Sequence, residues 1–442
     1  MSSRREFLQT SAALTASVTA LSSIPARAFA QGSDQIKVGL IGCGGRGSGA
    51  VRDAFDAGGN IKLVAMGDMF EDSIQGALGA IAKHVEGKFG SDAKNKVDVP
   101  LDRQFVGFDA YQKVIDSGVD MVIMATPPGF RPMHFEAAVK AGKNCFIEKP
   151  VAVDAPGVRQ VLAAAKLADE KGLKVGVGLQ RRHQTQYLEY IDRLHQGEFG
   201  DVHAMRVYWN GGGVWDPRKT REECKTEMEY QLRNWYYYNW LCGDHINEQH
   251  IHNLDVGLWM KKDQLPVKAN GMGGRQVRVD KKYGEIFDHH ACEFFFEDGS
   301  VMISQCRHIR NCWNPVSEHA HCTKGIVNLD SSARNCSIQI GGTETKYKGK
   351  ANAPYVDEHV ALQTAIAKGE KYNEAHRGAN STMVALLGRM CTYSGKVITF
   401  DEALNSNIAL RPSSYSMDGT PPSVPNANGE YPIAVPGVTK TV

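Results

Sequence analysis

Residues 36–47, IKVGLIGCGGRG, limit what this chain can fold into more than any other stretch. Five of the first six are apolar or glycine, the near-continuous run of a parallel strand buried on both faces. The run then breaks into G-x-G-x-x-G at Gly42, Gly44 and Gly47, with Gly45 and Arg46 completing the loop. The first glycine permits a tight turn and the second lets the backbone approach a pyrophosphate. The third lets the following helix pack close to the strand. The N–H groups of that helix then face the phosphates. A second apolar run, 61–66, leads to Asp68. That places a carboxylate about 20 residues past the last glycine, where it takes ribose hydroxyls. The combination predicts a dinucleotide site, whereas the glycines alone would also fit an ordinary βαβ turn.

Alternation of helix and strand continues to residue 179. Strands are expected at 104–108, 120–125, 144–147 and 174–179, with helical crossovers, hence a doubly wound parallel Rossmann sheet. Near Gln180 the pattern changes to longer, alternating or aromatic strands at 202–209, 267–279, 289–296, 300–306 and 325–329. These predict an α+β domain with an open-faced, mainly antiparallel sheet. Residues 210–234 read as a long polar loop, of the kind used as a lid or binding loop. The division expected is a leader at 1–30, a nucleotide domain at 31–180, a second domain at 181–411 and an extended tail at 412–442.

A chain of 442 residues exceeds one core, and 42% apolar with 23% charged residues is a globular composition. The leader carries Arg4, Arg5 and Arg27 against Glu6, so removing it takes the formal charge of +2 to about zero. No basic excess remains for a nucleic-acid partner. Ser3-Arg4-Arg5-Glu6-Phe7-Leu8 reads as a twin-arginine start with small-residue cleavage candidates at 26–30, which implies folded export to the periplasm. The apolar run at 12–24 is too short and too rich in Ser and Thr to span a membrane. The ten cysteines include no C-x-x-C, so most read as buried thiols, with a bridge among 292–336 left open.

Glu148-Lys149-Pro150 follows the fifth expected strand, at the carboxyl edge where such sheets bind ligands. Pro150 favours an extended Lys149, whose ammonium would reach the nicotinamide end or else sit on a solvated loop. Thr126-Pro127-Pro128 ends the fourth strand and either lines the cleft or makes a rigid turn. Farther on, Glu248, His252, Asp255 and Trp259 share one face of an expected helix. Such a stripe fits proton transfer, a buried network, a solvated face, or a metal site drawing in His245 and His250. The order H-x-x-E-x-H matches no zinc-protease motif, so no metal is expected. Arg182 and His183, in Arg181-Arg182-His183 at the domain junction, either hold substrate or bridge the domains; His250 and Asp255 are further substrate candidates.

These residues together resemble the Gfo/Idh/MocA family, the glucose–fructose oxidoreductase and inositol dehydrogenase group. The likeness rests on Gly42–Gly47, Asp68, Thr126-Pro127-Pro128, Glu148-Lys149-Pro150, and His252 with Asp255 and Trp259. It implies a nucleotide domain joined to an open-faced sheet, commonly in homodimers or homotetramers, acting on pyranosides or cyclitols with NAD(P). It further implies that Lys149 assists hydride and proton transfer and that His252 is an acid/base. Glu248 stands where the family often has Asp, which leaves proton transfer divided among Lys149, Glu248 and His252.

Asp68 favours NAD over NADP, since a carboxylate repels a 2′-phosphate, while Arg46 weakens that preference. Export adds a constraint, because a cofactor lost outside the cytosol is not replaced. Retention needs sub-micromolar affinity, about 8 kcal/mol or more, and the cofactor must be reset in place. A ping-pong sugar oxidoreductase meets that condition. So does a redox-neutral glycosidase or lyase that oxidises, eliminates and returns the hydride. A sugar-binding protein with a vestigial nucleotide fold is the third reading.

Overall fold

The computed structural model describes residues 35–442; the expected twin-arginine leader lies outside them. The nucleotide domain runs β1 (Ile36–Ile41), α1 (Gly45–Asp56), β2 (Ile61–Asp68), α2 (Glu71–Phe89), β3 (Gln104–Val106), α3 (Ala110–Asp116), β4 (Met121–Met124), α4 (Arg131–Lys140), β5 (Asn144–Ile147), α5 (Ala155–Glu170) and β6 (Val175–Val177). Its strands pair in parallel in the order β3-β2-β1-β4-β5-β6. The order reverses between β1 and β4, and the glycine loop sits at that switch point, where open sheets bind ligands. Leu40, Leu63, Met121 and Ile123 are fully buried, as strands covered on both faces require.

The second domain continues with α6 (Thr185–His195), β7 (Val202–Gly211), α7 (Glu227–Arg233), α8 (Asn239–Cys242), α9 (His245–Glu248), α10 (Ile251–Met260), β8 (Lys268–Gly274), β9 (His289–Phe295), β10 (Val301–His308), β11 (Val316–Cys322), β12 (Gly325–Asp330), β13 (Ser337–Ile340) and β14 (Thr343–Lys346). It closes with α11 (Pro354–Lys368), α12 (Ala375–Ser394), β15 (Ile398–Thr399) and α13 (Phe400–Asn405). Nine strands form one sheet in the order β14-β13-β12-β11-β7-β10-β9-β8-β15. β10 runs parallel to β7 and the remaining pairs are antiparallel. Along β10, Met302, Ser304, Cys306 and His308 are buried while Ile303 faces outward, so helices cover one side of the sheet and the other stays open. The last long helices return to the nucleotide domain: Leu362 joins its core, and Gln363 Nε2 donates to Ala54 O at 2.9 Å.

Several expected elements are corrected. The strand expected over 267–279 ends at Gly274, and the loop expected over 210–234 contains α7. β11, VSEHAHC, was not anticipated, because Glu and His on a strand hide its alternation. The helix expected to carry both Glu248 and Trp259 is interrupted after α9 and resumes at Ile251. All ten cysteines are free thiols, so no bridge joins any of 292–336. No helix among the described residues is long and apolar enough to cross a membrane.

Candidate active site and nucleotide cleft

Each glycine of the loop has a distinct steric reason. Gly42 has φ +95°, and a Cβ there would lie 2.5 Å from Thr126 N, so the turn and the close crossing both require glycine. A Cβ on Gly47 would lie 1.9 Å from Gly42 O, which makes it the residue that lets α1 pack against β1. At Gly44 and Gly45 nothing lies within 4 Å, so these two keep space open. Gly44 caps α1 without any side-chain hydrogen bond, leaving the helix's first N–H groups for an anion. Asp68 closes the loop from β2: its Oδ2 accepts from Cys43 N at 2.6 Å and its Oδ1 from Phe70 N at 3.0 Å. A cleft of about 380 Å³ opens against Gly42, Gly44, Asp68, Thr126 and Pro127. Donors, a ribose-side carboxylate and open space fit a dinucleotide.

The side chains of Arg46 and Glu148, both expected at the cofactor, pair with each other. Arg46 Nε donates to Glu148 Oε1 at 2.5 Å, and its guanidinium also reaches Asp53 at 3.4 Å. They tie the glycine loop to the β5 turn, and Arg46 is not free to offset Asp68 against a 2′-phosphate.

Lys149, next in that turn, precedes a cis peptide bond to Pro150. Its Nζ donates to Glu248 O and lies 3.2 Å from Glu248 Oε1. Glu248 ends α9, so this contact joins the two domains. Burial raises the Glu248 carboxyl above the ordinary carboxylate range, although Lys149 and Arg131 pull the other way. His252, in the first turn of α10, is 7% exposed, stacks at 5.9 Å on Trp209, and has no hydrogen-bond partner at Nδ1. Burial, reinforced by the charge of Lys149, holds this imidazole well below its ordinary pKa, hence neutral. An ammonium, a buried carboxyl and a neutral imidazole are thus gathered where the domains meet.

The expected substrate ligands fare differently. Arg182 donates through Nε to Asp255 Oδ2 at 2.8 Å and through Nη2 to Asp255 Oδ1 at 2.9 Å, with Ser381 Oγ on the same carboxylate at 2.7 Å. Its guanidinium also stacks 5.1 Å from Trp259. Both residues of the pair are buried and committed to each other, which corrects them as substrate contacts. His250 is fully buried, bonded to Ser304 Oγ at 2.7 Å, and burial pushes it down to about 3; it belongs to the core. His183 lies 3.8 Å from Glu374 at the domain junction, a bridging position. Proximity in sequence to His252 gave no information about these burials.

Residues 36–179 match the oxidoreductase family with an NAD-binding Rossmann fold, GFO/IDH/MocA. The nucleotide domain belongs to the GFO/IDH/MocA oxidoreductases. The chain is accordingly an NAD(P)-dependent oxidoreductase. It is 23% identical over 359 residues to an inositol 2-dehydrogenase of Rhizobium meliloti (strain 1021), covering 79% of this chain and 94% of that one. It is 24% identical over 264 residues to a 2,7-anhydro-N-acetylneuraminate hydratase of Escherichia coli (strain K12), covering 58% and 63% respectively. Among solved structures, aldose-aldose oxidoreductase from Caulobacter crescentus complexed with glycerol superposes with a TM-score of 0.64 at 19% identity, over 83% of this chain and all of that one.

The surroundings of these motifs show only in the fold. Arg131 lies buried beneath the Glu148-Lys149-Pro150 turn and donates to Pro150 O. His134 stacks at 4.2 Å on Tyr111 and reaches Thr126 Oγ1 at 3.4 Å. Neither stood out in the sequence, since a lone Arg or His on a helix carries no spacing signal. Asp244, His245 and His290 place their ligand atoms within 4.8 Å of one another, a spacing that suits a metal. Yet Asp244 Oδ1 accepts from His245 N at 2.5 Å, while Oδ2 accepts from Phe287 N at 2.9 Å and Tyr393 OH at 2.5 Å. Its oxygens are already used, and the cluster reads as a hydrogen-bonded hub.

Proposed function

We propose that this chain oxidises or reduces a secondary hydroxyl of a sugar, glycoside or cyclitol, with the reacting carbon held near Lys149 and His252. The observation that carries the reading is the meeting of Lys149, Glu248 and His252 from two domains, beside an open glycine cradle ending at Asp68. A bound NAD(P) supplies the hydride acceptor or donor. His252, neutral at pH 7, takes the hydroxyl proton; Lys149 steadies the charge growing on that oxygen; Glu248 positions Lys149 and shares its proton. The cyclitol dehydrogenase relative supports this substrate class.

A redox-neutral variant is the second reading, favoured by the hydratase relative, whose named reaction leaves no net oxidation. The twin-arginine leader supports periplasmic export with a cofactor retained through turnover. The open sheet face, exposing Met272 and Ile303, supports packing of copies into a homodimer or homotetramer.

Two measurements separate these readings. Mature protein purified from its native compartment is denatured and assayed for released NAD(H) or NADP(H); absence of nucleotide removes the retained-cofactor scheme. A panel of cyclitols and aldoses is then added to loaded protein while the reduced-nicotinamide band is followed. A lasting change supports net oxidation. Product without lasting change supports the redox-neutral route. Neither band nor product with any member of the panel would reject the substrate class.

A further inference from the structure

The nucleotide cleft is not built by the nucleotide domain alone. Arg218, Lys219, Leu232, Arg233 and Trp235 line the same cavity as Gly44 and Asp68, and all five come from the segment between β7 and α8. They lie on the side of Asp68 and Phe70, where the ribose-binding carboxylate places the adenosine half of a dinucleotide.

Three observations make this segment a built part of the cleft. Arg233 spans the domains: its Nη1 lies 2.9 and 2.7 Å from the Asp72 oxygens, and its guanidinium stacks 3.5 Å from the Phe70 ring. Asp72 is thereby neutralised at the mouth. Next, the backbone of Arg218 and Lys219 is fixed from beneath by Asn234, which is fully buried. Its Oδ1 accepts from Arg218 N at 2.7 Å and Lys219 N at 3.2 Å, and its Nδ2 donates to Lys219 O at 2.9 Å. Arg218 itself stacks at 4.0 Å on Trp215 and pairs with no carboxylate among the described residues. An oriented guanidinium without an internal partner, lining the same cavity as the glycine loop, is a cation for an anionic ligand.

The segment is also pinned from behind by the chain's tail. Gln231 Nε2 donates to Ser423 O at 2.7 Å, Arg221 Nη2 to Tyr431 OH at 2.5 Å, and Tyr238 OH meets Tyr431 OH at 3.0 Å.

We infer that residues 212–238 form a retaining strap over the adenosine half of the bound dinucleotide, that Arg218 supplies a cation to its phosphates, and that the tail around Tyr431 holds the strap down. This rests on the NAD(P) reading and deepens it by assigning retention to the substrate domain. Nucleotide then leaves only as the strap lifts, so the strap governs the dissociation rate.

The test is stopped-flow displacement of NADH and of NADPH from the full mature protein, without substrate. Arg218→Ala, on a side chain with no internal ion pair, is expected to raise the dissociation rate about tenfold or more, with Arg218→Lys recovering part of the loss. Tyr431→Phe, which touches nothing in the cleft, is expected to speed release as well. Equal acceleration for both nucleotides assigns Arg218 to the shared diphosphate; acceleration confined to NADPH assigns it to the 2′-phosphate. An Arg218→Ala rate within about twofold of the parent's overturns the inference while leaving the NAD(P) reading intact. A parent protein that binds neither nucleotide overturns both.

Discussion

Lys149 Nζ and Glu248 Oε1 stand 3.2 Å apart, one from each domain. Their side chains are 14% and 13% exposed, enough for a ligand to reach and too little for water to screen the pair well. Glu248 Oε2 has no partner, so the carboxyl keeps an acceptor in hand while burial raises its pKa. Lys149→Ala is expected to slow turnover by about 10²-fold or more with nucleotide content unchanged. Glu248→Gln keeps the shape, loses the ionisation, and should cost less while altering the acid limb of the rate profile. Full activity in Lys149→Ala would remove the ammonium from the mechanism.

His252 gives a prediction with a definite sign. Burial and Lys149 depress its pKa far below the ordinary 6.5, so the imidazole stays neutral, and competent as a base, well into acid. The kcat/KM profile of the free enzyme should therefore hold steady as pH falls through 6.5, and His252→Asn should lower the plateau by about 10²-fold. An inflection near 6.5 that vanishes in His252→Asn would contradict the buried, neutral histidine.

The glycine loop, Asp68 and the Glu148-Lys149-Pro150 turn were legible in the sequence because their geometry is local: a turn, a strand end, a fixed spacing. Arg182 and Asp255 were not, since they are far apart in sequence and only the folded chain shows that each occupies the other. The same holds for His250, two residues from His252 yet sealed against Ser304. The helical stripe misled because α9 and α10 are separate helices, and Glu248 reaches Lys149 from the end of the first. Arg46 reads from its loop as a cation that weakens the preference set by Asp68, but its guanidinium is paired with Glu148.

The Arg182–Asp255 pair should prove structural. Arg182→Ala strands the buried Asp255 charge and is expected to destabilise by about 3–5 kcal/mol, whereas Asp255→Ala leaves Arg182 paired with Asp263 at 2.6 Å and should cost less. The double variant should cost less than the sum of the two, and nucleotide binding by the protein that still folds should stay near normal. Thermal denaturation with and without NADH checks this. Strictly additive losses would mean the two side chains act separately.

His250 links stability to pH. It titrates at about 3 in the fold against about 6.5 when unfolded. The unfolded chain thus binds a proton below pH 6.5 that the folded chain refuses, so stability falls as pH drops, on the order of 1 kcal/mol per pH unit for this group. His250→Asn removes that contribution alone. The stability gap between parent and variant should be widest above pH 7 and narrow steadily toward pH 4. A constant gap would place His250 in a solvated site instead.

The two glycines of the cradle should separate folding from binding. Gly44 has φ −74°, which alanine adopts freely, and a methyl there meets nothing within 4 Å. Gly44→Ala should keep the parent's melting temperature and weaken NADH binding about tenfold or more, because the new methyl occupies the space the diphosphate needs. Gly47→Ala drives a methyl to 1.9 Å from Gly42 O, so α1 must shift off β1. That variant should lose roughly 2–4 kcal/mol of stability and lose binding as a consequence. Melting curves and NADH titration of both proteins decide the matter. A Gly44→Ala protein that binds NADH normally would mean the diphosphate does not lie over this loop, and the site would have to be sought elsewhere in the cleft.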